Sequence, residues 1–205
     1  MEQRSEEWHA IRLGKVTASR VADVIAKTKT GYGASRANYM AELICERLTG
    51  TKGESFVSSA MQWGVDREPE ARAAYEASSG SLVTEIGFAP HNSIDGSGAS
   101  PDGLIDNEGL VEIKCPQTAT HLDTLLTETV PAKYITQMQW QMACTGRKWC
   151  DFVSYDPRLP EKMQLFVKRV TRDDAFIEQL EREVSSFLNE MEEKLAKLEE
   201  KYDGI

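Results

Sequence analysis

Ala99-Ser100-Pro101-Asp102-Gly103-Leu104-Ile105, followed after the turn Asp106-Asn107-Glu108-Gly109 by Leu110-Val111-Glu112-Ile113-Lys114, is the stretch on which the fold turns. Two short apolar runs around a turn-rich tetrapeptide read as a β-hairpin. Side chains alternate along a strand, so Glu112 and Lys114 point one way while Val111 and Ile113 point the other way, into a core. Two charged groups on an otherwise apolar strand are costly to bury unless they are paired or bind something. The hairpin brings Asp102 back beside the second strand, so that two carboxylates and one ammonium converge. Hard oxygen donors of this kind suit Mg²⁺, with Mn²⁺ as a substitute, because such ions keep several waters and take one or two carboxylates. The backbone carbonyl of Ile113, between the two charged positions, is a further candidate ligand. A dication held there would neutralise charge on a scissile phosphodiester and acidify a bound water. Lys114 would orient that water, stabilise transition-state charge, or act as a base once a nearby dication depresses its pKa. The spacing alone leaves these roles open, and a surface hairpin with an ordinary Glu–Lys pair would match the same bare pattern.

Outward from the hairpin, the apolar period changes along the chain. Helical spacing is expected over 38–49, 59–79, 131–145 and 173–202, with Gly50, Gly80 and Gly146 as stops. Residues 5–27 read as a short helix, a break at Gly14, and a second helix capped by Thr17 or Ser19. Strands are expected at 82–89, 97–100, 103–106, 110–115, 149–155 and 163–170. Helices ahead of a cluster of strands, then helix, strands and helix, predict an α/β fold with a central mixed β-sheet flanked by helices. The whole chain, 1–205, reads as one domain ending in an acidic amphipathic helix. Phe176, Leu180, Val184, Phe187, Leu188, Met191, Leu195 and Leu198 form that helix's apolar stripe, which is expected to pack on the body or on a partner.

Charge gives a mixed message. The chain of 205 residues carries a net charge of −9, which by itself argues weakly against a nucleic-acid partner. The excess is uneven, however: residues 173–203 hold 11 acidic and 4 basic residues, leaving a net of −2 for the rest. A local basic channel is compatible with that total. Lys27, Lys29 and Arg36, in and beside a polar loop at 28–37, are expected to meet DNA phosphates. No apolar run approaches the roughly 18 residues of a membrane span, and the polar, acidic N-terminus is unlike a signal peptide, so a cytoplasmic location is expected. The four cysteines, Cys45, Cys115, Cys144 and Cys150, contain no CxxC pair and read as reduced thiols. His9, His91 and His121 show no metal-ligand spacing.

Several blocks now point the same way. Pro101-Asp102 with Glu112-x-Lys114 is the signature of the PD-(D/E)xK nuclease superfamily. Trp8-His9-x-x-Arg12-Leu13-Gly14, Thr17-Ala18-Ser19, Trp63-Gly64, Ser100-Pro101-Asp102-Gly103-Leu104, Glu112-Ile113-Lys114-Cys115-Pro116, Gln137-x-Gln139 and Tyr155-Asp156-Pro157-Arg158 occur in the order found in lambda-type exonucleases. The chain therefore resembles the YqaJ-like viral recombinase family from Trp8 to about residue 170.

The resemblance implies a restriction-endonuclease-like core and a Mg²⁺-dependent exonuclease. Such an enzyme digests the 5′-ended strand of linear double-stranded DNA, releasing mononucleotides and leaving 3′ overhangs. It also implies a ring-shaped homotrimer and a single-strand DNA annealing protein as partner in phage recombination; the acidic helix is a candidate docking surface for it. By the same resemblance Asp102 and Glu112 hold metal, Lys114 assists the water, Arg12 binds the 5′ phosphate, Glu68 supports the metal site from a helix, and Gln137 and Ser100 belong to the active site. An Arg fork fits a phosphate, and Ser19 near a helix start would add donors. Tyr134 shares a helical stripe with Gln137 and Gln141 and is counted among the DNA-binding candidates. A junction resolvase or other endonuclease on the same core, and a silent DNA-end-binding module, are the rival readings.

Overall fold

The computed structural model describes residues 2–53 and 58–202. The chain begins with α1 (Glu6–Arg12), β1 (Val16–Thr17), the 3₁₀ turn Ala18–Arg20, α2 (Val21–Val24), β2 (Lys27–Thr28), β3 (Gly31–Tyr32), α3 (Ala34–Thr49) and α4 (Ser59–Ser79). There follow β4 (Val83–Thr84), β5 (Ala89–Pro90), β6 (Ser97–Ala99), β7 (Gly103–Ile105), β8 (Gly109–Lys114), α5 (Thr118–Thr127) and α6 (Ala132–Thr145). The last elements are β9 (Trp149–Tyr155), the 3₁₀ turn Glu161–Met163, β10 (Leu165–Thr171) and α7 (Asp174–Lys201).

The main sheet runs β10-β9-β8-β7-β4, with β8 at its centre. β7 and β8 form the expected antiparallel hairpin, Gly103 opposite Val111 and Ile105 opposite Gly109. β8 and β9 are parallel, and α5 and α6 lie in the connection between them. The result is the mixed α/β architecture expected from the sequence. Each face of β8 meets a helix. Val111 and Ile113 pack with Ala71 and Tyr75 of α4, while Leu110 on the opposite face packs with Met138 and Met142 of α6 and Phe152 of β9. Glu112 and Lys114 share the α6 face with Leu110, so Glu112 is buried between sheet and helix while Lys114 reaches its open edge.

A third apolar cluster joins the N-terminal elements to the acidic helix. Leu180, Val184, Phe187, Leu188, Met191 and Leu195 of α7 pack against Val21 and Val24 of α2, Tyr39, Met40 and Leu43 of α3, and Trp140 of α6. The apolar stripe of α7 is thus covered by the chain's own body.

Four expectations need correction. The second N-terminal helix is mostly absent: Val16–Thr17 pairs in parallel with Ser97–Gly98, and only Val21–Val24 is α-helical. Neither Thr17 nor Ser19 caps by its side chain, and Ser19 lies inside the 3₁₀ turn. The 82–89 strand splits into two dipeptides that join different sheets. The segment 28–37 is a tight hairpin running directly into α3, because extended Gly33 starts that helix early. Arg36 therefore sits in a helical first turn, buried, with its guanidinium 2.6 Å from Glu190 and 4.1 Å from the Tyr32 ring centre. Lys27 pairs with Glu183 at 2.7 Å. Both cations pair with acids of α7, whereas Lys29 stays exposed at the hairpin tip.

α5 was not expected at all. Its sequence, TATHLDTLLT, is rich in threonine and shows no strong apolar stripe. Long-range bonds hold it instead: buried His121 bridges the Ser154 hydroxyl at 2.7 Å and the Met163 carbonyl at 2.8 Å.

Candidate functional site

Asp102 leaves the main sheet just before β7, where a regular ladder would have paired it with Glu112. Instead the Ile113 N–H donates to the Asp102 carboxylate at 2.7 Å. On an extended strand the N–H and C=O of one residue face the same edge. The Ile113 carbonyl is therefore directed toward Asp102 as well.

Glu112 is only 1% exposed, which demands compensation for its charge. Its Oε1 accepts from Gln137 Nε2 at 2.6 Å and its Oε2 from Gln141 Nε2 at 2.5 Å, and the Lys114 ammonium completes the group. The Lys114 side chain remains 27% exposed and lies 5.2 Å from the Tyr134 ring centre. Tyr134 in turn stacks on Phe152. Asp102, Glu112, Lys114, Gln137 and Tyr134 therefore form one cluster, in which the strand period sets the shared face of Glu112 and Lys114 and the packing of α6 on β8 brings Gln137 and Tyr134 to it.

The electrostatics of the cluster are those of a site short of positive charge. Burial and then the neighbouring Glu112, with Glu68 adding, push the Asp102 carboxyl up to about 8, against the opposing pull of Lys114 and the Ile113 N–H. Burial pulls the Lys114 ammonium down, but the Glu112 and Asp102 carboxylates outweigh it and hold the group above its usual range. A divalent cation would relieve the carboxylate crowding. Among the described residues no three His, Cys, Asp or Glu side chains gather to form a metal cage. The residues that could hold such an ion are Asp102, Glu112 and the Ile113 carbonyl, hard oxygen donors of the kind that would suit Mg²⁺.

Glu68 reaches the same area from α4. It lines with Asp102 a cavity of about 280 Å³ and is held by Arg4 and by Arg72. Glu70 points elsewhere and accepts from the Tyr155 hydroxyl at 2.9 Å.

A second cavity, of about 290 Å³, is lined by Arg12, Lys15, Ser19, Arg20 and Lys52. Glu42 and Glu46 also border it, yet both are engaged: Glu42 by Arg20, and Glu46 by the Gly14 N–H at 2.7 Å. Gly14 has φ +65°, and a Cβ there would come within 2.6 Å of the Arg47 side chain, so only glycine makes the turn that follows α1. Arg12 is placed by its neighbours, its guanidinium stacked 4.0 Å over the Trp8 ring centre and donating to the Ser100 hydroxyl at 3.0 Å. Trp8 Nε1 donates to the same hydroxyl at 3.0 Å. Burial draws Arg12 down to about 10, with Tyr39 and Glu46 opposing, which leaves it charged at neutral pH. Ser100 thus links the basic cavity to Asp102, two residues along. Tyr134 does not line this cavity and belongs with Lys114.

Two contributors escaped sequence reading. Gln3 donates to the Ile86 carbonyl at 2.8 Å and the Pro101 carbonyl at 2.7 Å, tying the N-terminal segment over the Pro101-Asp102 turn. Arg4 pairs with Glu68. No local signal marks either residue. The Trp8–Arg12 stack was findable, because the two are one helical turn apart.

The sequence profile of the YqaJ-like viral recombinase domain matches residues 7–148. No curated protein matches the chain. Among solved structures, the chain is 57% identical to an alkaline exonuclease (LHK-Exo) from Laribacter hongkongensis, with a TM-score of 0.91 over 96% of this chain and 97% of that one. It is 58% identical to LHK-Exo in complex with dAMP, with the same TM-score and coverage. It is also similar to a phage related exonuclease from Haemophilus somnus 129PT, at 15% identity and TM-score 0.73 over 90% of this chain and 96% of that one, a likeness of fold alone.

Proposed function

Since this chain belongs to the YqaJ-like viral recombinase family, we propose that it is a DNA exonuclease that requires Mg²⁺ and degrades the 5′-ended strand of linear duplex, releasing mononucleotides and leaving a 3′ overhang. The observation that carries this reading is the convergence of Asp102, Glu112 and Lys114, with Ser100, two residues before Asp102, accepting a hydrogen bond from Arg12 of the basic cavity. The similarity to an alkaline exonuclease, and to the same enzyme crystallised with dAMP, supports it.

Asp102, Glu112 and the Ile113 carbonyl are the residues that would hold the metal. When bound, it would supply charge neutralisation at the scissile phosphate and a water acidified toward neutral pH. Lys114, held charged by Glu112, hydrogen-bonds the attacking water and offsets negative charge as the phosphorane develops. Arg12 and Ser19 anchor the 5′ phosphate, and Ser100 fixes the distance from that anchor to Asp102. Glu68 and Gln137 steady the carboxylate pair. A ring-shaped homotrimer would keep the DNA enclosed, and a single-strand annealing protein would receive the overhang in phage recombination within the host cytoplasm.

The test is end-labelled linear duplex incubated with Mg²⁺ beside a closed circle of the same sequence. Label is expected to leave the 5′ end as mononucleotide while the circle survives. Equal loss of circular DNA would overturn the exonuclease reading in favour of an endonuclease. Light scattering is expected to give three times the 22.9 kDa chain mass; the single-chain mass would refute the ring.

Arg12→Ala is expected to lower kcat/KM on 5′-phosphorylated ends by about 10–100-fold, the loss of one or two charge-assisted hydrogen bonds. Its effect on 5′-hydroxyl ends should be much smaller. An equal loss on both ends would remove Arg12 from phosphate recognition.

Asp102 predicts a pH dependence. In the metal-free protein it keeps its proton up to about pH 8, so metal entry below that pH must expel one proton. Apparent Mg²⁺ affinity is therefore expected to weaken about tenfold per pH unit below 8 and to level off above it. The raised carboxyl also penalises the metal-free fold progressively from about pH 4, where the unfolded chain ionises, to pH 8. Calorimetric Mn²⁺ titrations at several pH values check the proton release; a flat profile would contradict it.

A further inference from the structure

Gln141 occupies a position that the functional reading above does not use. It is fully buried, one helical turn after Gln137 on α6, and its Nε2 donates to Glu112 Oε2 at 2.5 Å. Gln137 donates to the other oxygen at 2.6 Å. Each oxygen of one carboxylate is thus gripped by an amide from a successive turn of the same helix, so the carboxylate cannot rotate about its Cγ–Cδ bond. The helix is itself fixed above β8 by Met138 and Met142 against Leu110 and Phe152. At its other end, Gln141 Oε1 lies 4.0 Å from the buried Cys150 thiol, a weak donor.

The chemistry of the donors matters as much as their place. A buried carboxylate needs hydrogen bonds, and Lys or Arg would supply them together with positive charge. Amides supply the bonds without charge, so Glu112 keeps its attraction for a cation apart from the contribution of Lys114. We propose that Gln141 is a positioning residue of the metal site, holding the Glu112 carboxylate in one orientation through a donor that brings no charge of its own. This inference rests on the reading of Glu112 as a metal ligand.

The experiment is calorimetric Mn²⁺ binding to DNA-free protein, with kcat and KM on linear duplex measured alongside. Gln141→Met keeps the volume and removes the donor. It is expected to weaken Mn²⁺ binding about 10-fold and to lower kcat by about 10–100-fold, with KM for DNA unchanged. Gln139→Met is the control. Its amide bridges the Thr171 carbonyl at 2.8 Å and the Asp173 N–H at 2.9 Å, away from the site. That variant should lose stability but bind Mn²⁺ normally. Wild-type Mn²⁺ affinity and kcat in Gln141→Met would overturn the proposal, as would equal weakening in both variants. Should Gln141→Met fail to fold, Gln141→Asn decides: its amide is one methylene too short, and unaltered Mn²⁺ affinity would again overturn the proposal. Mn²⁺ binding that depends on Gln141 in a protein inert toward linear duplex would sink the exonuclease reading and leave this inference standing.

Discussion

Lys114→Met is expected to lower the rate of linear-duplex degradation by about 10²–10⁴-fold, the range for loss of a group that assists proton movement or charge at a reacting centre. The variant should still fold. The Lys114 side chain is partly exposed at the edge of the cluster, and both oxygens of Glu112 keep an amide donor when the ammonium is gone. It should also bind Mn²⁺ at alkaline pH at least as well as the wild type, because one positive charge has left the neighbourhood of two carboxylates. At lower pH the sign reverses. Lys114 is among the groups that draw the Asp102 carboxyl down, so without it Asp102 holds its proton to higher pH and competes better with the metal. The combination expected is lost turnover, retained binding of DNA ends, and a metal-binding pH profile moved upward. Turnover near the wild-type rate would remove Lys114 from the chemistry.

How much of this was legible in the sequence depends on whether the relevant signal is local. The β7–β8 hairpin was, because turn residues and strict alternation specify register, and register alone places Glu112 and Lys114 on one face. The Tyr134, Gln137 and Gln141 stripe was legible for the same kind of reason, through a helical period. What the period could not tell is that the stripe faces Glu112 rather than solvent or DNA; that follows from β8 and α6 packing through Leu110, Met138 and Met142. Arg36 shows the opposite failure. A cation in a Gly- and Ser-containing segment reads as a loop residue, yet its destination is fixed by Glu190, 154 positions away. α5 was missed because its helix rests on His121 reaching Ser154 and Met163, contacts with no local trace. The N-terminal dipeptide Gln3-Arg4 carries no motif and gains meaning only through Ile86, Pro101 and Glu68.

Glu112→Gln is the harsher substitution, and its expected signature separates metal binding from packing. The volume is unchanged, but an amide offers one acceptor where the carboxylate offered two. One of the donors of Gln137, Gln141 and Lys114 is then left poorly matched in a buried place, at a cost of about 1–3 kcal/mol. Against this, the Glu112 repulsion that helps raise Asp102 is relieved while the effect of burial stays, so the metal-free variant is expected to lie close to the wild type in stability and to show a smaller stability penalty toward pH 8. The large difference appears when metal is added. At a hundredfold excess over its dissociation constant, a ligand stabilises the folded state by about 2.7 kcal/mol. For a chain of this length that corresponds to a rise in Tm of about 5–11 °C. Wild-type protein is expected to show that rise with Mn²⁺ and the variant to show almost none, with cleavage reduced by about 10³-fold or more as ligand and orientation are lost together. Thermal melts with and without Mn²⁺ measure it directly. A variant stabilised by Mn²⁺ as much as the wild type would mean that the ion sits elsewhere, and the catalytic cluster would then have to be redrawn around Asp102 and Glu68.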